Sequence, residues 1–253
     1  MLRPRRQKTR LLALPALVTA VILGITACSP AAEEPRQLST AEAELLSAAR
    51  FHNFDEGTRR IDMTITESAS TITVVGYYDF VAHAGVAEVS TDGAAPAPSD
   101  ETDYLWWTPT AVGEAVVEGP SPDWDAGVPE MNSEWPWQFF ELDSSGSILL
   151  TGLALVSATG FDRPDNPQLL AQSDALWLSK SSRGVWFQLP SSDDLTKTNP
   201  SPKEDPTVPR MLVSKSGVIE RVTQAPSPST EVSLTFGSSP DSPVPAPSMP
   251  AAE

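Results

Sequence analysis

The sequence predicts an α+β domain built on an antiparallel sheet, and three observations carry that class. Residues 60–66, RIDMTIT, alternate Ile61, Met63 and Ile65 with polar side chains, the two-residue period of a half-buried strand. Several β-branched and aromatic runs follow one another across short turns, which favours hairpins and an antiparallel sheet. Two stretches, one near residue 40 and one near residue 150, are instead rich in helix formers or continuously apolar.

Taken in order, the first element is a helix. Ser39 with Glu42 three residues on fits a capping box, and Leu45, Leu46 and Ala49 supply a narrow apolar face. Strands follow at 60–66 and at 70–80, STITVVGYYDF, with a turn through VAHAG and a third strand in VAEVST. Asp103–Pro109 reads as the next strand, and AVVEG as another. Prolines then rule out a regular helix before Trp137. Residues 147–159, SILLTGLALVSAT, fit either a buried helix or a strand pair. A helix covering the sheet is preferred, ending at Gly160.

DALWLSKSSRGVWFQLP reads as strand, turn near Ser182-Arg183-Gly184, and strand, followed by the polar loop SSDDLTKTNPSPKEDPT. PRMLVSKSGVIERVTQ is the cleanest hairpin, with SKSG as its turn. EVSLTFG closes the sheet, with Val232, Leu234 and Phe236 on one face. The domain is drawn over 38–236. Residues 28–37 read as a tether and 237–253 as a Pro-rich tail, extended and largely unpacked.

The first 27 residues read as a signal peptide: Arg3, Arg5, Arg6, Lys8 and Arg10 precede an uncharged run from Leu11 to Ala27. A membrane-spanning helix is the other reading. Seventeen residues are short for a ~30 Å hydrocarbon core, and Pro15 interrupts them. Leu23 to Cys28, LGITAC, resembles the lipobox of bacterial lipoproteins, with Ile25, Thr26 and Ala27 before the only cysteine in the chain. That resemblance implies cleavage between Ala27 and Cys28 and a thioether from Cys28 to diacylglycerol. The thiolate is the nucleophile that such chemistry needs, and several acyl chains hold far better than one. The expected location is the outer face of the cytoplasmic membrane.

The whole chain has a formal charge of −16. Removing residues 1–27 takes five of the 17 basic residues and none of the 33 acids, leaving −21. Such a chain does not neutralise phosphates, which excludes nucleic acid as a partner. It is also repelled by an anionic lipid surface.

The order of parts is lipobox, linker, helix, antiparallel strands, a central helical insertion, more strands and a Pro-rich tail. With VVGYYDFVAHAGVAEVST, PRMLVSKSGVIERVT and EVSLTFGSSPDSPVPAPS, it resembles the exported lipid-carrier lipoproteins of actinobacteria, the LppX/LprG type with a LolA-like fold. GFDRPDNPQLLAQSDALWLSK also looks like a motif of actinobacterial lipoproteins. The pattern departs at Ser214 and Lys215, where an Asp is common, and the stretch around Trp124, Trp135 and Trp137 has no counterpart. The resemblance implies a curved antiparallel half-barrel with helices across its concave face, an acyl-chain ligand in the gap, and no catalytic residue. The expected function is a non-enzymatic carrier or sensor of an apolar ligand. The alternative is a closed cell-envelope interaction protein without a cavity.

Residues outside the resemblance offer little chemistry. His52 and His83 are the only histidines, too few for a zinc site of three or four ligands. Lys215-Ser216-Gly217 lacks the S-x-x-K partner that a penicillin-binding enzyme needs. Asp162, Asp165 and Asn166 in FDRPDN are oxygen donors for Ca²⁺ on one reading and caps of the next helix on the preferred one. No metal, cofactor or catalytic residue is expected. Candidate pocket-lining residues are Trp106, Trp107, Trp177, Trp186 and Phe187, with Trp106 and Trp107 on opposite faces of their strand.

Overall fold

The computed structural model describes residues 34–92, 101–191, 203–240 and 243–244. The expected signal peptide with Ala27, the expected lipidation site Cys28 and most of the polar loop after Ser191 lie outside the described residues.

The first helix, α1 (Thr40–Asp55), starts where the capping box places it. The Ser39 side chain accepts from the Glu42 amide, and the Glu42 carboxylate accepts from the Ser39 amide at 2.9 Å. A fork from Arg36 to the same carboxylate, with both contacts at 2.8 Å, holds the Glu42 pKa down at about 2. Arg36 and Gln37 themselves form a short strand, β1 (Arg36–Gln37), so the folded domain begins before residue 38.

Six strands follow: β2 (Thr58–Glu67), β3 (Ser70–Asp79), β4 (Ala84–Asp92), β5 (Glu101–Trp107), β6 (Ala111–Glu118) and β7 (Gln138–Glu141). Two helices come next, α2 (Ile148–Ser157) and α3 (Pro167–Gln172). The chain ends in β8 (Leu176–Lys180), β9 (Gly184–Gln188), β10 (Arg210–Ser214), β11 (Ile219–Ser227) and β12 (Thr230–Phe236). All 12 strands join one sheet in the order β1-β8-β9-β10-β11-β12-β2-β3-β4-β5-β6-β7. Every pairing is antiparallel. The last strand pairs with β2, and β1 and β7 are the two edges, so the sheet is not closed. The α+β class with a large antiparallel sheet is therefore as the sequence predicts.

Strand alternation sorts the side chains into an inner face, beneath the helices, and an outer face. Inner rows run from strand to strand through the register. Trp177 sits opposite Phe187, Phe187 opposite Met211, Met211 opposite Val222, Val222 opposite Leu234, and Leu234 opposite Met63. These residues are at most 3 % exposed. Helix α2 covers β2 and β3 with Leu153 and Val156 buried. Gly152 is what lets it approach: a Cβ there would stand 2.7 Å from the Met63 sulfur. Helix α1 lies over β10 and β11 and against α3. Asn166 caps α3 by accepting from the Gln168 amide at 2.9 Å, and Asp165 forks onto Arg50 of α1. The capping reading of FDRPDN holds for Asn166, while Asp165 docks the loop onto α1.

Candidate functional site

The five aromatic residues expected to line one pocket do not come together. Trp107, Trp177 and Phe187 are on the inner face, in the main core. Trp106 belongs to a separate cluster on the outer face. Trp186 pairs with Leu212 between two inner-facing positions of β9, so it also points outward, half-buried. Within the inner set, β8 and β5 stand eight places apart in the strand order, or about 38 Å along the sheet at ~4.8 Å per strand. Tryptophan identity alone did not carry this. Register does, and register is a long-range property.

The inner face around Trp107 has the features of a site. Its ring lies over Gly85, where a Cβ would come within 2.3 Å of it. The ring stacks on Tyr78, with centroids 5.6 Å apart, and Tyr78 meets Phe80 edge-on at 5.0 Å. Tyr78 and Trp107 are fully buried; the Trp107 Nε1–H has no hydrogen-bond partner, and the Tyr78 hydroxyl has only the Ser157 hydroxyl beside it, outside good hydrogen-bond geometry. A buried unpaired polar group costs about 1–3 kcal/mol, so the core here is polar with little compensation. Burial pushes the Tyr78 pKa up to about 12. The neighbouring Asp79 charge adds to that rise, and the Ser157 hydroxyl offsets part of it.

This makes a pH prediction. The folded pKa lies above the ordinary tyrosine value of about 10, so the neutral form is favoured by folding. The corresponding stability is present below pH 10 and is lost as pH climbs towards 12, by about 2–3 kcal/mol. Tyr78→Phe flattens that alkaline loss and leaves stability at pH 7 unchanged or up to about 1 kcal/mol higher. Urea unfolding at pH 7 and at about pH 11 (roughly midway through the expected loss) measures both. An alkaline loss as steep in the variant as in the parent would refute the assignment.

The outer face was not anticipated. Residues 119–137, the Pro- and Trp-rich stretch, fold back over β3 to β6. Trp124 is buried there. Its Nε1 donates to Glu88 at 3.0 Å, and its carbonyl accepts from the Tyr77 hydroxyl at 2.6 Å. Trp135 and Trp137 lie beside Tyr104 and Phe139, with centroids 4.7 and 6.2 Å apart respectively. Gly113 leaves the room for this: a Cβ there would meet Phe139 at 2.6 Å.

Among the described residues, clefts open at the surface in at least two places. One, of about 300 Å³, is lined by Arg60, Glu88, Trp124 and Asp125 on the outer face. The other, of about 750 Å³, surrounds the β11–β12 connection with Pro206, Pro226 and Pro228 in its walls. Neither is lined by a residue of α1, α2 or α3. No group of three or more His, Cys, Asp or Glu side chains that could hold a metal occurs among the described residues. Among those residues, no helix is long and apolar enough to cross a membrane. Compared with known proteins, the chain matches no protein-family model and no curated protein.

Proposed function

We propose that this chain is an exported lipoprotein, held by acylated Cys28 on the outer face of the cytoplasmic membrane, whose domain carries or senses an apolar ligand without catalysis. The carrying observation is the inner face. A continuous apolar surface on an unclosed sheet is covered by α2, a helix with no charged residue from Ser147 to Gly160 and only part of its surface buried. A helix apolar on most sides normally has both faces covered. The unpaired Trp107 N–H, and the Tyr78 hydroxyl with only Ser157 beside it, would meet a ligand carbonyl or ester.

The element order supports a LolA-like curved half-barrel: one helix, six strands, a helical insertion and five strands, the last beside the first long one. In this reading α2 is the movable cover, and an acyl chain enters between it and β2–β3. The tight seat of Gly152 on Met63 favours a second reading. There the same domain stays closed and dry and works as an envelope interaction protein.

The experiment is native mass spectrometry of residues 29–253 purified from a host with abundant lipid. The carrier reading expects a lipid-sized adduct that is lost or weakened in Tyr78→Phe. A bare mass throughout leaves the closed domain as the correct reading. The anchor is checked separately: the full chain partitions with membranes, and Cys28→Ser moves it to the soluble fraction. An unchanged membrane fraction would overturn lipidation at Cys28.

A further inference from the structure

The Pro-rich tail does not leave the domain where its composition suggests. Gly237 donates to the Arg60 carbonyl at 2.9 Å, and the Arg60 amide donates to Ser238 at 3.3 Å, so the chain continues past β12 along β2. Farther on, Val244 is 4 % exposed. It belongs to the buried outer cluster of Tyr77, Ala84, Val86, Tyr104, Trp106 and Trp124. An aliphatic side chain from a Pro- and Ser-rich segment thus joins a buried cluster that contains four aromatic rings.

Two further facts give this seat a chemistry. Val244 stands between Pro243 and Pro245. The residue before a proline is confined to extended or polyproline II backbone. Such a segment loses little entropy on binding and has free carbonyls, and for these reasons aromatic grooves recognise proline-rich chains. Trp106 is 3 % exposed, and with Val244 seated its Nε1–H still has no acceptor. A segment whose carbonyl reached that indole N–H would gain a bond that the tethered copy does not make.

We propose that the outer aromatic face is a binding site for an extended Pro-aliphatic-Pro segment, occupied here by Val244 of the sequence Pro243-Val244-Pro245. The site reads two things, an aliphatic side chain that fits among the rings and flanking prolines that hold the backbone extended. The tail is a tethered ligand, so its occupancy is set by a high effective concentration and not by intrinsic affinity. A detached peptide of the same sequence competes poorly with it until the tethered copy is disabled. This site is on the face opposite the helices and is independent of the apolar-ligand reading.

The test uses the chain from residue 29 onward and a synthetic peptide of residues 240–249, with binding followed by tryptophan fluorescence and calorimetry. Val244→Asp expels the tethered copy, because a lone carboxylate is not buried among rings. The expected result is that this variant binds the peptide at least about tenfold more tightly than the parent chain does. The same peptide with Asp in place of its valine binds neither. Equal binding by parent and variant, or no binding by the folded variant, overturns the proposal. Should Val244→Asp fail to fold, Val244→Ala takes its place: the shortened side chain weakens the tethered copy, and peptide binding no tighter than that of the parent chain overturns the proposal.

Discussion

Trp107→Ala lowers the unfolding free energy by about 3–5 kcal/mol, a large share of the 5–15 kcal/mol typical of a folded domain. The residue is fully buried, stacked on Tyr78, and in the same core as the helices. Its removal deletes a large apolar surface and leaves a cavity that the paired strands β4 and β6 on either side cannot close. Gly85 provides the control. Gly85→Ala in the parent adds a Cβ that would come 2.3 Å from the indole, an overpacking that costs about 1–3 kcal/mol. In the Trp107→Ala background the same methyl enters vacated space, and its cost falls towards zero. Urea unfolding of the parent, both single variants and the double variant gives the coupling. Additive effects would mean that the ring does not lie over Gly85.

The elements with local signals were legible in the sequence. Ser39 and Glu42 announced α1, because a capping box is written within four residues. The hairpin of β10 and β11 was announced by its SKSG turn, in which Gly217 adopts φ +86°. Alternation alone placed Trp106 and Trp107 on opposite faces. What stayed hidden depended on partners distant in the chain. Strand β7 is only four residues long and follows a proline-rich stretch, and β1 has two residues that pair with β8, about 140 positions away. The cover of the outer face comes from aperiodic segments, Trp124 and Val244 among them, and period-based reading has nothing to detect there. The expected pocket failed as a set for the same reason. A bulge between Trp177 and Ser179 and the strand order β8 to β5 decide which aromatics are neighbours. Gly85 at the start of β4, read from the sequence as part of a turn, and Gly113 in β6 are where rings lie against the backbone.

Arg59→Leu is expected to cost about 3–5 kcal/mol, from a hydrogen-bond hub and not from packing. Arg59 is 6 % exposed at the inner face, with its guanidinium 5.0 Å over the Phe236 ring. It donates to Asn53 Oδ1 and to the Ile219 carbonyl, both at 2.8 Å, and to the Gly237 carbonyl at 3.2 Å. Those acceptors come from α1, the start of β11 and the first residue past β12, so one side chain ties three separate segments together. Burial pulls its pKa below the usual arginine value, while the charges of Glu56 and Glu220 work against that. Leucine matches much of the volume but takes the guanidinium donors from the Ile219 and Gly237 carbonyls, and leaves Asn53 Oδ1 with only the Ile219 amide at 3.2 Å. Arg59→Lys does not restore stability, because a single ammonium lacks the fork that spans three directions. The decisive readout is local. Hydrogen exchange at the Gly237 amide, which is bonded to the Arg60 carbonyl at 2.9 Å, accelerates in Arg59→Leu by more than the fall in global stability explains. That excess reports release of the tail from the end of β12. Exchange that merely tracks global unfolding would make Arg59 a stabiliser of the core alone, with no part in holding the segment that delivers Val244 to the opposite face.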